Sequence, residues 1–199
     1  MERLDEQLRF IKEIDRLKGV LRQSPLVDSS RRENSAEHSW HLAMMAVTLG
    51  EYAPREADLG RVITMVLLHD IVEIDAGDTF VYATDTALAE AERAERAAAD
   101  RIFALLPADQ AGWLRAVWDE FEERRTAEAR FARALDRLQP MLANYHTRGG
   151  TWRAHGVTAD QVLAKVRFIE DGSAALGTYA RELVAASVDK GFLAPAASR

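Results

Sequence analysis

Apolar residues in this chain recur at the three- and four-residue spacing of amphipathic helices, and no segment shows the alternation of an extended strand. The stripes predict helices at residues 4–17, 34–52, 59–73, 84–106, 113–121 and 131–142, and a last long helix from 158 onward. The polar segment 22–33 is predicted to connect two helices without regular structure of its own. The fold class is therefore all-α, a bundle of about six to eight helices.

Local signals set the predicted helix boundaries. Asn34 with Glu37 three residues later is a variant of the capping box, which indicates that the second helix begins there. That helix should end before Pro54. Gly172 and Gly177 interrupt the last helical stripe, so they are expected either to bend the helix or to let a neighbour pack closely. The chain shows no internal repeat or linker, which predicts a single domain over 1–199, with a core of about 8–145 and C-terminal helices over 150–192.

Composition restricts the class of partner. The 199 residues carry a net charge of −6, so the surface as a whole does not attract nucleic acid or an anionic membrane. Residues 1–10 lack the apolar stretch of a signal peptide, and no window approaches the ~18 apolar residues of a membrane span. We therefore expect a cytoplasmic protein. Cysteine is absent, so any metal must be held by His, Asp and Glu.

Four residues stand out as possible metal ligands. His69 and Asp70 follow a strongly apolar run, where an ionised Asp is costly unless it is paired or bound to a metal. Neighbours on a helix point about 100° apart, so both reach one ion only from a pocket rim or a helix end. His38 lies in the first turn of the second helix, and Asp136 lies among apolar residues of the sixth. Two imidazoles and two carboxylates suit one divalent ion, which could be Mn, Co, Fe, Zn or Mg.

Each of these residues also has a structural interpretation. A single His on a helix is more often structural, and Asp136 could instead pair with a buried Arg. Glu73 could be a solvated carboxylate at a helix end, and the His-Asp dipeptide occurs by chance in many proteins. The combination of His38, His69–Asp70 and Asp136 favours the metal site over these alternatives.

Three segments resemble the HD superfamily of metal-dependent phosphohydrolases: 33–39 (ENSAEHS), 69–78 (HDIVEIDAGD) and 134–136 (ALD). The likeness is greatest to the branch of the bacterial 5′-deoxynucleotidases and their eukaryotic relatives, and it covers residues ~8 to ~145. The resemblance implies a single HD-type helical domain whose metal is bound by His38, His69, Asp70 and Asp136. It also implies that Glu73 assists catalysis and that Asp78 lies at the substrate.

The implied reaction is hydrolysis of a small phosphate ester by a metal-activated water, with a (deoxy)nucleoside 5′-monophosphate as the expected substrate. Because negative charge grows on the phosphoryl oxygens, an acidic protein needs a local cationic clamp. Arg31 and Arg32, just ahead of the first metal histidine, are the first candidates, and Arg22 is the next. Nucleotidase relatives typically carry a tryptophan in the loop that here reads Leu21–Val27, and its absence leaves the sugar preference open. Family resemblance also implies a homodimer.

Other functions compete with this prediction. A phosphodiesterase acting on cyclic or oligomeric nucleotides would need a second metal shell or a long basic groove, and the composition indicates neither. A di-iron oxygenase generally needs more histidines than the five in this chain. A non-catalytic helical interaction module with a vestigial site is disfavoured, because all four ligand positions and Glu73 are present.

Overall fold

The structure, a computed structural model, describes residues 1–196. Within that range eight α-helices have ten residues or more, in agreement with the predicted all-α bundle. The helices and strands, in chain order, are α1 Glu2–Ile14, β1 Leu21–Pro25, β2 Arg32–Asn34, α2 Ser35–Thr48, α3 Leu59–Leu68, α4 Glu73–Ala76, α5 Asp85–Phe103, α6 Ala108–Glu123, α7 Ala127–His146, α8 Gly150–Ala154, α9 Ala159–Gly172 and α10 Ala174–Asp189.

Helix α7 forms the centre of the bundle, and α2, α3, α6, α9 and α10 pack around it. Its side chains Phe131, Leu135 and Leu138 are buried. Trp118 on α6 and Trp152 on α8 are among the largest fully buried side chains. Burial of this apolar surface is the main stabilising contribution to the bundle. Among residues 1–196, no helix is both long enough and apolar enough to cross a bilayer.

The prediction that residues 22–33 lack regular structure is wrong. Strands β1 and β2 pair antiparallel there, with Leu21 opposite Asn34 and Pro25 opposite Arg32. The turn between them is local, since Ser30 N–H donates to Asp28 Oδ1 at 2.9 Å. The buried side chains of the hairpin, Ser24 and Glu33, are polar. Alternation of apolar residues therefore does not reveal it.

The second and last predicted helices are shorter than expected. Helix α2 ends at Thr48, and a 3₁₀ turn at Gly50–Tyr52 follows it. The last stripe forms two helices, α9 and α10, which are separated at Ser173. A Cβ atom on Gly172 would lie 2.3 Å from the carbonyl oxygen of Arg130, so glycine permits α9 to approach α7 closely there. The expected role of the glycine in close packing is confirmed.

Candidate metal centre and active-site cavity

The capping box predicted at the start of α2 places the first histidine. Glu37 N–H donates to Asn34 Oδ1 at 2.9 Å, and Asn34 N–H donates to Glu37 Oε2 at 3.2 Å. These reciprocal bonds satisfy backbone donors of the first helical turn and fix where the helix begins. His38 therefore lies in that first turn, where it is fully buried and faces α3 and α7.

The adjacent residues His69 and Asp70 lie at a helix end, which is one of the two positions from which both side chains could reach one ion. Helix α3 stops at Leu68, and residues His69–Val72 continue as a tight 3₁₀ turn. His69 Nε2 lies 3.0 Å from Asp70 Oδ1, so both side chains point into the same site. Trp118 Nε1 donates to the backbone carbonyl of His69 at 3.1 Å, which holds the turn against α6.

Three of the four predicted ligands form one compact cluster. Donor atoms of His38, His69 and Asp136 all lie within 4.8 Å of one another, and all three side chains are buried. His38 Nε2 lies 3.3 Å from Asp136 Oδ1, and His69 Nε2 lies 3.8 Å from the same oxygen. Asp70 borders this cluster, with its Oδ2 atom 3.9 Å from His38 Nε2. Sequence positions 38, 69, 70 and 136 thus converge at one point.

The donor chemistry of this cluster fits a divalent cation. His69 Nδ1 donates to the Val66 carbonyl at 2.9 Å, whereas the buried Nε2 faces the carboxylates of Asp70 and Asp136 without a well-aligned hydrogen bond to any of residues 1–196. Burial alone would lower the pKa of His69, but the carboxylates of Asp70 and Asp136 outweigh it and raise the pKa to about 10. This shift reports a strongly negative potential at Nε2. Two imidazoles and two carboxylates around such a point are ligands typical of Mn, Co, Fe, Zn or Mg.

Arg22 neutralises carboxylates at the edge of the cluster. Its guanidinium donates to Asp70 Oδ2 at 2.8 Å and lies 4.0 Å from Glu73 Oε1 and 3.9 Å from Asp78 Oδ1. Burial alone would lower the pKa of Arg22, but these carboxylates raise it. Its Nε atom lies 3.6 Å from Glu33 Oε2. Four carboxylates therefore lie around the Arg22 guanidinium, which also lines the adjoining cavity.

The two remaining predicted carboxylates lie beside Arg22. Burial, followed by repulsion from Asp70, raises the pKa of Glu73 well above its usual range, and the Ser35 hydroxyl donates to its Oε2 atom. Burial also raises the pKa of Asp78, whose Oδ2 atom accepts from Gln23 N–H at 3.1 Å. Both side chains line a cavity of about 320 Å³ that also reaches His69, Asp70 and Asp136.

Arg31 and Arg32 lie outside this cavity. Arg31 is exposed and pairs with Glu37, with Nη1 donating to Oε2 at 2.9 Å. Arg32 is also exposed and donates to the backbone carbonyls of Arg22 and Leu21, which fastens β2 to β1. The capping box and the hairpin explain these positions. Arg31 pairs with Glu37 of the capping box, and Arg32 donates to carbonyls of β1. Both arginines had been expected near the phosphate because they precede His38 closely in the sequence.

The cavity brings in residues that the sequence did not single out. Arg133 donates to Asp136 Oδ2 at 3.2 Å and to Glu122 Oε1 at 3.0 Å. Arg137 and Lys165 also line the cavity, as does Glu95 of α5. Arg133 and Arg137 lie close to Asp136 along helix α7, which is a signal that the sequence does contain. Lys165 and Glu95 belong to no motif and could be found only from the structure.

Comparisons with known proteins agree with this geometry. The family model described as HD domain matches residues 14–176. The 5′-deoxynucleotidase HDDC2 of Xenopus laevis is 31% identical over 136 residues, which are 68% of this chain and 66% of that protein. The human 5′-deoxynucleotidase HDDC2 is 29% identical, with 68% of this chain and 65% of that protein covered. The chain thus spans slightly less than two thirds of the length of these relatives.

Solved structures share the whole fold. A predicted metal-dependent phosphohydrolase from Magnetospirillum magnetotacticum MS-1 superposes with a TM-score of 0.93 at 56% identity, over 98% of this chain and 100% of that chain. An HD-domain phosphohydrolase from Listeria innocua superposes with a TM-score of 0.68 at 16% identity, over 93% of this chain and 90% of that chain, a likeness of fold alone. The converging histidines and carboxylates, the family match and the shared fold lead to one conclusion: the chain belongs to the HD-domain family.

Proposed function

We propose that this chain is a metal-dependent phosphohydrolase that releases phosphate from (deoxy)nucleoside 5′-monophosphates. The observation that carries the proposal is the buried cluster of His38, His69 and Asp136, with Asp70 beside it, at one end of a cavity of about 320 Å³. A cavity of this size lies within the range of small-molecule sites. The names of the 5′-deoxynucleotidase and phosphohydrolase relatives support the substrate class.

The proposed ligands of the divalent ion are His38, His69, Asp70 and Asp136. When bound, such an ion supplies Lewis-acid polarisation of a phosphoryl oxygen and lowers the pKa of a water. The two carboxylate oxygens of Asp70 have different partners. Oδ1 faces His69 of the cluster, and Oδ2 accepts a hydrogen bond from the guanidinium of Arg22. That bond orients the carboxylate, as outer residues commonly do for metal ligands.

Glu73 is the proposed general base. The Ser35 hydroxyl donates to the Oε2 atom of Glu73, so Oε1 is the oxygen that faces Arg22 and the cavity. A carboxyl whose pKa is raised accepts a proton near neutral pH more readily than an ordinary one, so it suits proton transfer with the attacking water. Asp78 is held by Gln23 N–H, and its proposed role is to contact the sugar of the substrate.

The test is phosphate release by protein stripped with chelator and reconstituted with Mn, Co, Fe, Zn or Mg. Ribo- and deoxyribonucleoside 5′-monophosphates are compared, and bis(p-nitrophenyl) phosphate reports diesterase activity. Asp136→Asn should abolish release, whereas Asp189→Asn, the same change on an exposed carboxylate of α10, should retain it. Release from the diester alone would refute the monophosphate assignment in favour of a phosphodiesterase.

Two further expectations from the sequence stay proposals. We propose a homodimer, and the surface proposed for it is the face of α2 that exposes Trp40, Met44 and Val47 by 63%, 43% and 60%. These residues lie one helical turn apart, which makes a continuous apolar stripe. Light scattering should give a dimer mass for the wild type and a monomer mass for Trp40→Glu, and a monomeric wild type would contradict the proposal. The cytoplasmic location is likewise a prediction.

A further inference from the structure

Four cationic side chains lie on the cavity wall beyond the metal cluster: Arg124, Arg133, Arg137 and Lys165. They differ in how far the protein itself neutralises them. Arg133 donates to the carboxylates of both Glu122 and Asp136. The side chains of Arg137 and Lys165 make no hydrogen bond within residues 1–196, and both line the cavity, so their donors are available to a ligand there.

Arg137 is partly buried, with its side chain 25% exposed, and it lacks an adequate partner among the described residues. Its Nε atom is inaccessible and has no hydrogen-bond partner among the described residues. Among residues 1–196, the one carboxylate within ion-pair distance is that of Asp136, whose Oδ2 atom lies 3.7 Å from Nη1 and already accepts from Arg133 at 3.2 Å. A guanidinium that is partly withdrawn from water is stabilised when an anion compensates its charge, and its planar fork suits two oxygens of one oxyanion.

Lys165 presents a second charge to the same space from helix α9. It is half-buried on the cavity wall, and no carboxylate of residues 1–196 lies within ion-pair distance of its ammonium group. Burial lowers the pKa of Lys165, and repulsion from Arg137 and Arg124 lowers it further. Lys165 and Arg137 thus line the same cavity from helices α9 and α7.

We propose that Arg137 and Lys165 form an anion clamp that holds the phosphate oxygens of the substrate beside the metal cluster. Asp136 connects the clamp to the metal cluster, because its Oδ1 atom lies 3.3 Å from His38 Nε2 while its Oδ2 atom faces Arg137. A dianionic phosphate monoester is the ligand class that relieves both cations at once. The clamp rests on the proposed function for the identity of the anion, but its binding of an oxyanion is testable without turnover.

The test is calorimetric titration of inorganic phosphate into the metal-reconstituted protein. Lys165→Met and Arg137→Met should each weaken phosphate binding by about tenfold or more, because each removes a charge-assisted contact. The control is Arg167→Met, an exposed cation two residues from Lys165 on the same helix and outside the cavity, which should leave the affinity unchanged. Lys165 makes no ion pair or side-chain hydrogen bond with residues 1–196, so Lys165→Met should fold normally and decides the test if Arg137→Met does not fold.

Unchanged phosphate affinity in Lys165→Met, or an equal loss in Arg167→Met, would overturn the clamp. The clamp and the proposed function can fail separately. If the wild type binds phosphate through these residues but releases none from any nucleoside monophosphate, the clamp stands and the proposed function fails. If the wild type turns over such substrates and Lys165→Met has the same KM and kcat, the proposed function stands and the clamp is overturned.

Discussion

Arg22 holds together a group of buried carboxylates, and its removal should destabilise the metal-free protein severely. The guanidinium is buried, donates to Asp70 at 2.8 Å, and lies within 4.0 Å of Glu33, Glu73 and Asp78. Loss of one member of a buried ion pair leaves an uncompensated charge and costs about 3–5 kcal/mol. For a chain of this size each kcal/mol lowers the melting temperature by about 2–4 °C. Arg22→Met should therefore lower it by about 6–20 °C.

Thermal unfolding of chelator-stripped protein measures this effect. Arg31→Met is the matched control, because it removes an exposed cation that also pairs with a carboxylate. It should melt close to the wild type, since exposed ion pairs contribute little. Addition of divalent metal should shrink the deficit of Arg22→Met, because a cation at Asp70 replaces part of the lost charge. Equal melting temperatures for Arg22→Met and the wild type in chelator would refute the compensating role of Arg22.

Three further predictions concern stability away from the ligands. Asn34→Ala removes the acceptor for Glu37 N–H and should cost about 1 kcal/mol in the free energy of unfolding, measured by urea denaturation. Gly172→Ala places a Cβ atom 2.3 Å from the Arg130 carbonyl oxygen and should cost about 1–3 kcal/mol by the same assay, whereas an unchanged midpoint would contradict the close packing of α9 on α7. Burial raises the pKa of Glu95 to about 7, so the ionised carboxylate opposes folding progressively as pH rises from about 4.5 to 7. Glu95→Gln should therefore raise the melting temperature at pH 8 and leave it unchanged at pH 4, and an equal gain at both would contradict the shift.

Much of the fold follows from local sequence patterns, namely apolar stripes, a capping box and a glycine. The apolar stripes predicted the long helices because each helix buries one face against the bundle. The capping box at Asn34 fixed the start of α2, and the glycine at 172 marked a close approach of α9 to α7. The hairpin over 21–34 was not predicted, because its buried positions, Ser24 and Glu33, carry polar side chains and so show no apolar alternation.

The candidate site was predictable only where its residues belong to a motif. His38, His69, Asp70 and Asp136 were named from the sequence, and the structure brings them together from helices α2 and α7 and the turn that follows α3. Arg31 and Arg32 were predicted to bind phosphate because they lie just ahead of His38 in the sequence. Proximity along the chain does not determine which charged side chains enter the cavity. Lys165 lies 29 residues beyond Asp136 and reaches the same cavity because α9 packs along α7, a tertiary contact that no local pattern encodes.

The central claim is that hydrolysis depends on a divalent ion held by the buried histidine and aspartate cluster. It is tested most directly by titrating Mn²⁺ into chelator-stripped protein while phosphate release from a deoxynucleoside 5′-monophosphate is measured at each step. The account predicts saturation at one ion per chain, release that rises in proportion to occupancy, and loss of both in Asp136→Asn. Release that persists in Asp136→Asn, or a wild type that binds no ion, would contradict it.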